Sequence, residues 1–158
     1  MSFSGLWSNN LRDTDAGLFQ LYQACVDAGP SVCPIYEPSA EEINTRVNAL
    51  LEKLKAQPVH FYNTTSGAYG LLDYSAAKGS IFTVLYNTHR AGAQLTHALA
   101  EAEKGIGQPL YDLSARVVKS DGLQCNCPAS TPSVLFSESP ENTIGIACGD
   151  AGPVNSTL

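Results

Sequence analysis

The chain has 158 residues, 44% hydrophobic and 15% charged, enough for one domain with a buried core and too apolar for whole-chain disorder. Fifteen acidic residues against nine basic ones give a net charge of −6, which speaks against nucleic acid and anionic membrane surfaces as partners, since both need basic patches. No stretch approaches the roughly 20 apolar residues of a membrane-spanning helix.

Residues 1–12 read as an irregular lead-in, with neither the basic n-region nor the apolar h-region of a secretory leader. A helix is predicted from Asp13–Asp15, where carboxylates suit the exposed amides and the positive end of the helix dipole. Leu18, Phe19, Leu21, Tyr22, Cys25 and Val26 follow at helical spacing. Gly29-Pro30 ends that helix. Cys33 lies in the return loop, and a turn at Gly29-Pro30 can fold it back on Cys25. A bridge there pins the helix end to its exit loop; two reduced thiols are the alternative. Ser39-Ala40-Glu41-Glu42 is a capping box, and Ile43, Val47, Leu50, Leu51 and Leu54 make a stripe behind it. That helix stops before Pro58, because the residue preceding proline avoids helical backbone angles.

Val59–Tyr62 and Ala68–Leu72 are two short β-type runs around turn residues Asn63–Gly67, which predicts a hairpin with a five-residue loop. Asp73 is placed to cap a third helix carrying Ala76, Ala77, Ile81, Phe82, Leu85 and Tyr86 on its apolar face. A fourth runs from about Ala91 to Lys104, with Leu95, Ala98, Leu99 and Ala102 inward and Gly105 past its end. Pro109 starts a short fifth helix through Leu110, Tyr111 and Leu113. From Val118 to Pro140 the pattern fades into Gly, Ser, Pro and Cys, and such a stretch needs a staple or a partner surface; Cys125, Cys127 and Cys148 are available as the staple. Thr143–Cys148 reads as a buried strand with no sheet nearby in sequence to join.

Chemistry-bearing patterns are few. There is no Gly-x-Ser-x-Gly elbow; Ser66 and Ser80 have a glycine on one side only. His60, His89 and His97 have no acidic neighbour at a telling spacing and read as surface or core residues rather than bases. Cys125-Asn126-Cys127 is not a zinc spacing, and Gly105-Ile106-Gly107 follows a helix and lacks the third glycine of a dinucleotide fingerprint. No metal or cofactor is expected. Five cysteines and two glycosylation acceptors, Asn63-Thr64-Thr65 and Asn155-Ser156-Thr157, instead suggest an oxidising, secretory environment. An odd cysteine count leaves at least one thiol unpaired within the chain. A secretory interior behind a leaderless start suggests an inner piece of a longer protein.

Several segments carry a family resemblance. Ser4-Gly5-Leu6-Trp7-Ser8-Asn9-Asn10, Asp13-Thr14-Asp15 with the helix to Cys25, Ala28-Gly29-Pro30 and Cys33-Pro34-Ile35-Tyr36 come first. Gln57-Pro58-Val59, Ser66-Gly67-Ala68-Tyr69-Gly70-Leu71-Leu72-Asp73-Tyr74-Ser75 and Ile144-Gly145-Ile146-Ala147-Cys148-Gly149-Asp150 follow in order. Together they resemble fungal secreted α/β-hydrolases of the tripeptidyl aminopeptidase type. In that family the corresponding region is the helical lid, inserted after the nucleophile elbow. The resemblance implies a partner in the hydrolase body, which carries the catalytic Ser upstream and the Asp and His downstream, and a peptide substrate for the full-length enzyme. No catalytic residue carries over to this chain, and Asp150 matches a different family position. The substrate's ammonium group needs an anion, for which Asp13, Asp15 and Asp73 are the candidates, each equally explained as a helix cap.

The expectation is therefore a mainly α fold with a small β-hairpin (α+β), the helical lid insertion of an α/β-hydrolase without the hydrolase sheet. Residues 1–143 form the lid region, and residues 144–158 begin the return into the hydrolase body. Its expected function is gating substrate for a secreted serine aminopeptidase, without activity alone. The alternative is a small independent secreted binding or effector protein.

Overall fold

Five helices and one antiparallel hairpin make up residues 11–65 and 67–115, the part described by this computed structural model. Helix α1 spans Thr14–Ala28, α2 Ala40–Ala56, α3 Tyr74–Leu85, α4 Thr88–Glu103 and α5 Gln108–Ala115, with strands β1 (Val59–Tyr62) and β2 (Tyr69–Leu72) between α2 and α3. From Asp15 onward these elements belong to one compact unit. The described part is mainly helical with a two-stranded sheet, as the sequence pattern implies.

Local chemistry explains where the helices begin and end. The Ser39 hydroxyl accepts from the Glu42 N–H at 3.2 Å and starts α2; Asp73 Oδ1 accepts from the Ala76 N–H at 2.8 Å and starts α3. Each such cap contributes about 1 kcal/mol. Gly29 ends α1 at φ +78°, its N–H reaching the carbonyls of Cys25 and Val26. Gly105 ends α4 at φ +86°, its N–H bonded to the Ala102 carbonyl while the Ile106 N–H bonds that of Glu101. Both positions need the left-handed backbone that glycine adopts without steric cost. Helix α2 stops at Ala56, two residues short of Pro58.

The core gathers one face from each helix. Ile43, Val47, Leu50, Leu51 and Leu54 of α2 are all at most 5% exposed, and Leu95, Ala98, Leu99 and Ala102 of α4 are equally buried. Leu72, Ala77, Ile81, Val84, Leu110 and Leu113 extend the cluster through β2, α3 and α5, and Leu21, Tyr22, Cys25 and Ile35 belong to it as well. Burying one such aliphatic side chain stabilises by about 1.5–3 kcal/mol. Gly92 lets α1 approach α4 closely, since a Cβ there would stand 2.8 Å from Leu21 Cδ1.

Three expectations are corrected. Phe82 and Tyr86 do not lie on the buried face of α3; they are 38% and 80% exposed and pack edge to face on each other at 5.3 Å. The inward set is Ala77, Ser80, Ile81 and Val84, whose spacing defines a narrower stripe with two small residues that admit α5 closely. Helix α4 starts at Thr88 rather than Ala91, because the Asn87 carbonyl already accepts from the N–H groups of Arg90 and Ala91. No apolar residue marks that extra turn. The hairpin loop has six residues rather than five: the ladder ends at Tyr62 and Tyr69, and the Ala68 carbonyl just beyond it accepts from the Asn63 N–H at 2.7 Å.

The irregular stretch 118–140, the strand 143–148 and the boundary between 143 and 144 lie outside the described residues, as do residues 1–10 of the lead-in and Ser66.

Candidate functional site

The hairpin sorts its side chains strictly by face. Strand pairing matches Val59 with Leu72, His60 with Leu71, Phe61 with Gly70 and Tyr62 with Tyr69. Since successive strand residues point to opposite faces, Val59, Phe61, Gly70 and Leu72 share one face, and His60, Tyr62, Tyr69 and Leu71 the other. The first face is packed on helices. Leu72 is fully buried, the Phe61 and Tyr111 rings meet at 5.1 Å, and Gly70 leaves room for both, since a Cβ there would stand 2.6 Å from Phe61 Cζ. Gly107 likewise lets the start of α5 pass Leu72 and Val59. The second face is open: Tyr62 is 68%, Tyr69 80% and Leu71 51% exposed. Tyr62 and Tyr69 are direct cross-strand neighbours, and His60 flanks Leu71.

This open face is an aromatic and aliphatic platform with two phenol hydroxyls and one imidazole. Among the described residues both strands are also edges of a two-stranded sheet. An extended peptide suits such a surface: its backbone can pair with an edge and its side chains can lie on the rings.

The acidic candidates are not brought together. Asp13 and Asp15 are exposed at the start of α1, without an ion-pair partner among the described residues, whereas Asp73 stands at the start of α3 with its carboxylate engaged by the Ala76 amide. Asn63 sits at the hairpin tip. Its Oδ1 accepts from the Thr65 N–H at 3.0 Å, and its Nδ2 donates to Gln108 Oε1 at 3.2 Å, tying the tip to α5. Cys25 and Cys33 are joined in a disulfide, with Cα atoms 5.4 Å apart, and both are buried. Cys125, Cys127, Cys148 and Asn155 lie outside the described residues.

Ser80 is fully buried, with Oγ 2.9 Å from the Ala76 carbonyl and 2.6 Å from the Leu110 carbonyl, so its one proton is held between α3 and α5. It acts as a helix-to-helix tie. His60, His89 and His97 are all exposed. Among the described residues no group of three or more His, Cys, Asp or Glu side chains is placed to hold a metal ion, and no helix is long and apolar enough to cross a membrane.

Two features have no counterpart in the sequence pattern. Arg46 of α2 forms a two-pronged pair with Glu103 of α4, Nε to Oε1 and Nη2 to Oε2 both at 2.7 Å, and its Nη1 reaches Glu37 at 3.1 Å. The bonds from Glu103 first, then Glu37, hold the guanidinium pKa above its ordinary value against the opposing effect of partial burial. Tyr22 is buried with no hydrogen-bond partner for its hydroxyl among the described residues, and burial pushes its pKa up to about 12. Only its place on the apolar face of α1 hinted at burial; nothing hinted that the hydroxyl would lack a partner.

No protein-family model, curated protein or solved structure matches this chain.

Proposed function

We propose that this chain is the substrate-gating lid region of a secreted serine hydrolase that removes short peptides from a free amino end, with an α/β-hydrolase body as its partner. The open hairpin face of His60, Tyr62, Tyr69 and Leu71 carries this reading, because it offers an extended peptide an apolar wall beside a sheet edge. The ordered run of family-like segments supports it, and so does the secretory signature of the Cys25–Cys33 bridge.

In the complete enzyme a serine attacks the peptide carbonyl, a histidine carries the proton to the leaving amine and an aspartate orients the histidine, all three supplied by the body. The lid's own work is to exclude water and limit how much peptide fits. Asp13 or Asp15 meets the substrate's ammonium group. Asp73, committed to its cap, is the weaker candidate. Asp73→Asn separates the two roles there, because it keeps the cap and removes the charge.

The stand-alone binding protein is the second reading, and the self-contained core with its own disulfide favours it. The full chain, purified, should not turn over tripeptide amides with free amino ends or simple esters. It should bind an apolar dye, and a Tyr62→Ser, Tyr69→Ser double variant should bind less. Turnover that disappears with substitution of one internal serine overturns the lid reading. A cooperatively melting chain that binds no dye favours the second reading. Transcript sequence reaching past Met1 and Leu158 tests the lid reading directly: it expects a Gly-x-Ser-x-Gly segment before the chain, and an Asp and a His after it.

A further inference from the structure

We propose that Asn63 is an N-glycan acceptor and that its sugar stands at the seam between the hairpin tip and α5. The sequence Asn63-Thr64-Thr65 has the acceptor spacing. The fold presents it at a tight turn on the surface: Thr64, Thr65 and Gly67 are exposed, and Gly67 at φ +69° turns the chain back while its N–H bonds the Asn63 carbonyl at 2.8 Å. Within the motif, the Thr65 N–H donates to Asn63 Oδ1 at 3.0 Å, which orients the amide and polarises it. The buried Cys25–Cys33 bridge is an independent sign of the compartment in which such transfer occurs.

The step balances with a lipid-pyrophosphate-linked oligosaccharide as donor. Asn63 Nδ2 bonds to the anomeric carbon of the sugar, the bond from that carbon to the pyrophosphate oxygen breaks, the lipid pyrophosphate leaves with the electron pair, and Nδ2 loses one proton. Nδ2 begins with two hydrogens, so the modified nitrogen keeps one for Gln108 Oε1, now 3.2 Å away. The glycan and the tie to α5 are therefore compatible. The inference does not depend on what the open hairpin face contacts.

The test is the full chain expressed behind a secretion leader in a eukaryotic host, digested, treated with an N-glycanase in heavy-oxygen water and mapped by mass. The peptide containing Asn63 should carry the heavy-oxygen label. Thr65→Ser should keep the label, whereas Thr65→Ala should abolish it without altering the peptide containing Asn155. An unlabelled Asn63 peptide from the unsubstituted protein overturns the proposal. Chain retained in the secretory pathway is read by the same digestion, so failed secretion does not spare it.

Discussion

Helices α2 and α4 bury Ile43, Val47, Leu50, Leu95 and Leu99 and are joined by the Arg46–Glu103 pair, whereas the hairpin buries one face and leaves Tyr62, Tyr69 and Leu71 in water. The helical part uses its apolar side chains to hold itself together. The hairpin uses half of its own in that way, through Leu72 and the Phe61–Tyr111 contact, and holds the other half outward. Rigidity and exposure thus sit on opposite sides of a four-residue ladder, and stability and recognition should be separable by substitution at adjacent positions.

The largest effect belongs to the inner face. Leu72→Ala should cost about 2–5 kcal/mol in denaturant unfolding, because it removes a fully buried side chain and leaves a cavity. Replacing both Cys25 and Cys33 by alanine should cost somewhat under about 3 kcal/mol, as expected for so short a closed loop. Reduction of the unsubstituted protein should lower its midpoint similarly.

Tyr22 offers a test by pH. Its folded-state pKa is raised from 10.0 to about 12, so the unfolded chain ionises first. The contribution of the neutral phenol is complete below pH 10 and lost as pH rises through 12, a fall on the order of 2–3 kcal/mol. Tyr22→Phe should remove that alkaline loss. At neutral pH it should be neutral or stabilising by about 1 kcal/mol, since the hydroxyl has no partner to lose among the described residues.

Arg46→Met should cost about 1 kcal/mol, the upper end for a pair whose partners are 31% and 27% exposed, and a double-mutant cycle with Glu103→Gln should recover most of that as coupling. At the small end, Leu71→Ala should change stability by no more than about 0.5 kcal/mol while lowering apolar dye binding. A large loss on Leu71→Ala would show that the outer face is structural and that stability and exposure are not divided between the two faces.

Much of this was legible along the chain wherever the cause is local. Ser39, the α2 stripe and Pro58 together define one helix, and Gly29 and Gly105 mark two ends with a conformation few other residues adopt. The Cys25–Cys33 pairing was readable because a turn lies between the two residues. The hairpin's position was readable, but which face would stay open was not, since that depends on where α5 packs. The same reason hid the exposure of Phe82 and Tyr86: periodicity gives a face its direction, and only the packed neighbours give it a width. Arg46 and Glu103 are 57 positions apart, so no spacing rule connects them. Of the candidate site, Asp73 was readable as a cap and Asn63 as a tip residue. The tyrosine platform was not, because its side chains are defined by what fails to cover them.

Gly70 sits where the hairpin meets α5. Its missing side chain is the space into which the Phe61 ring folds, with the Tyr111 ring alongside. Adding even one carbon there would force an aromatic ring to give way, so the fit between sheet and helix is limited by a single hydrogen's width. A position that small couples the hairpin to α5: displacing the strands that carry the outer tyrosines also disturbs the rings packed inside.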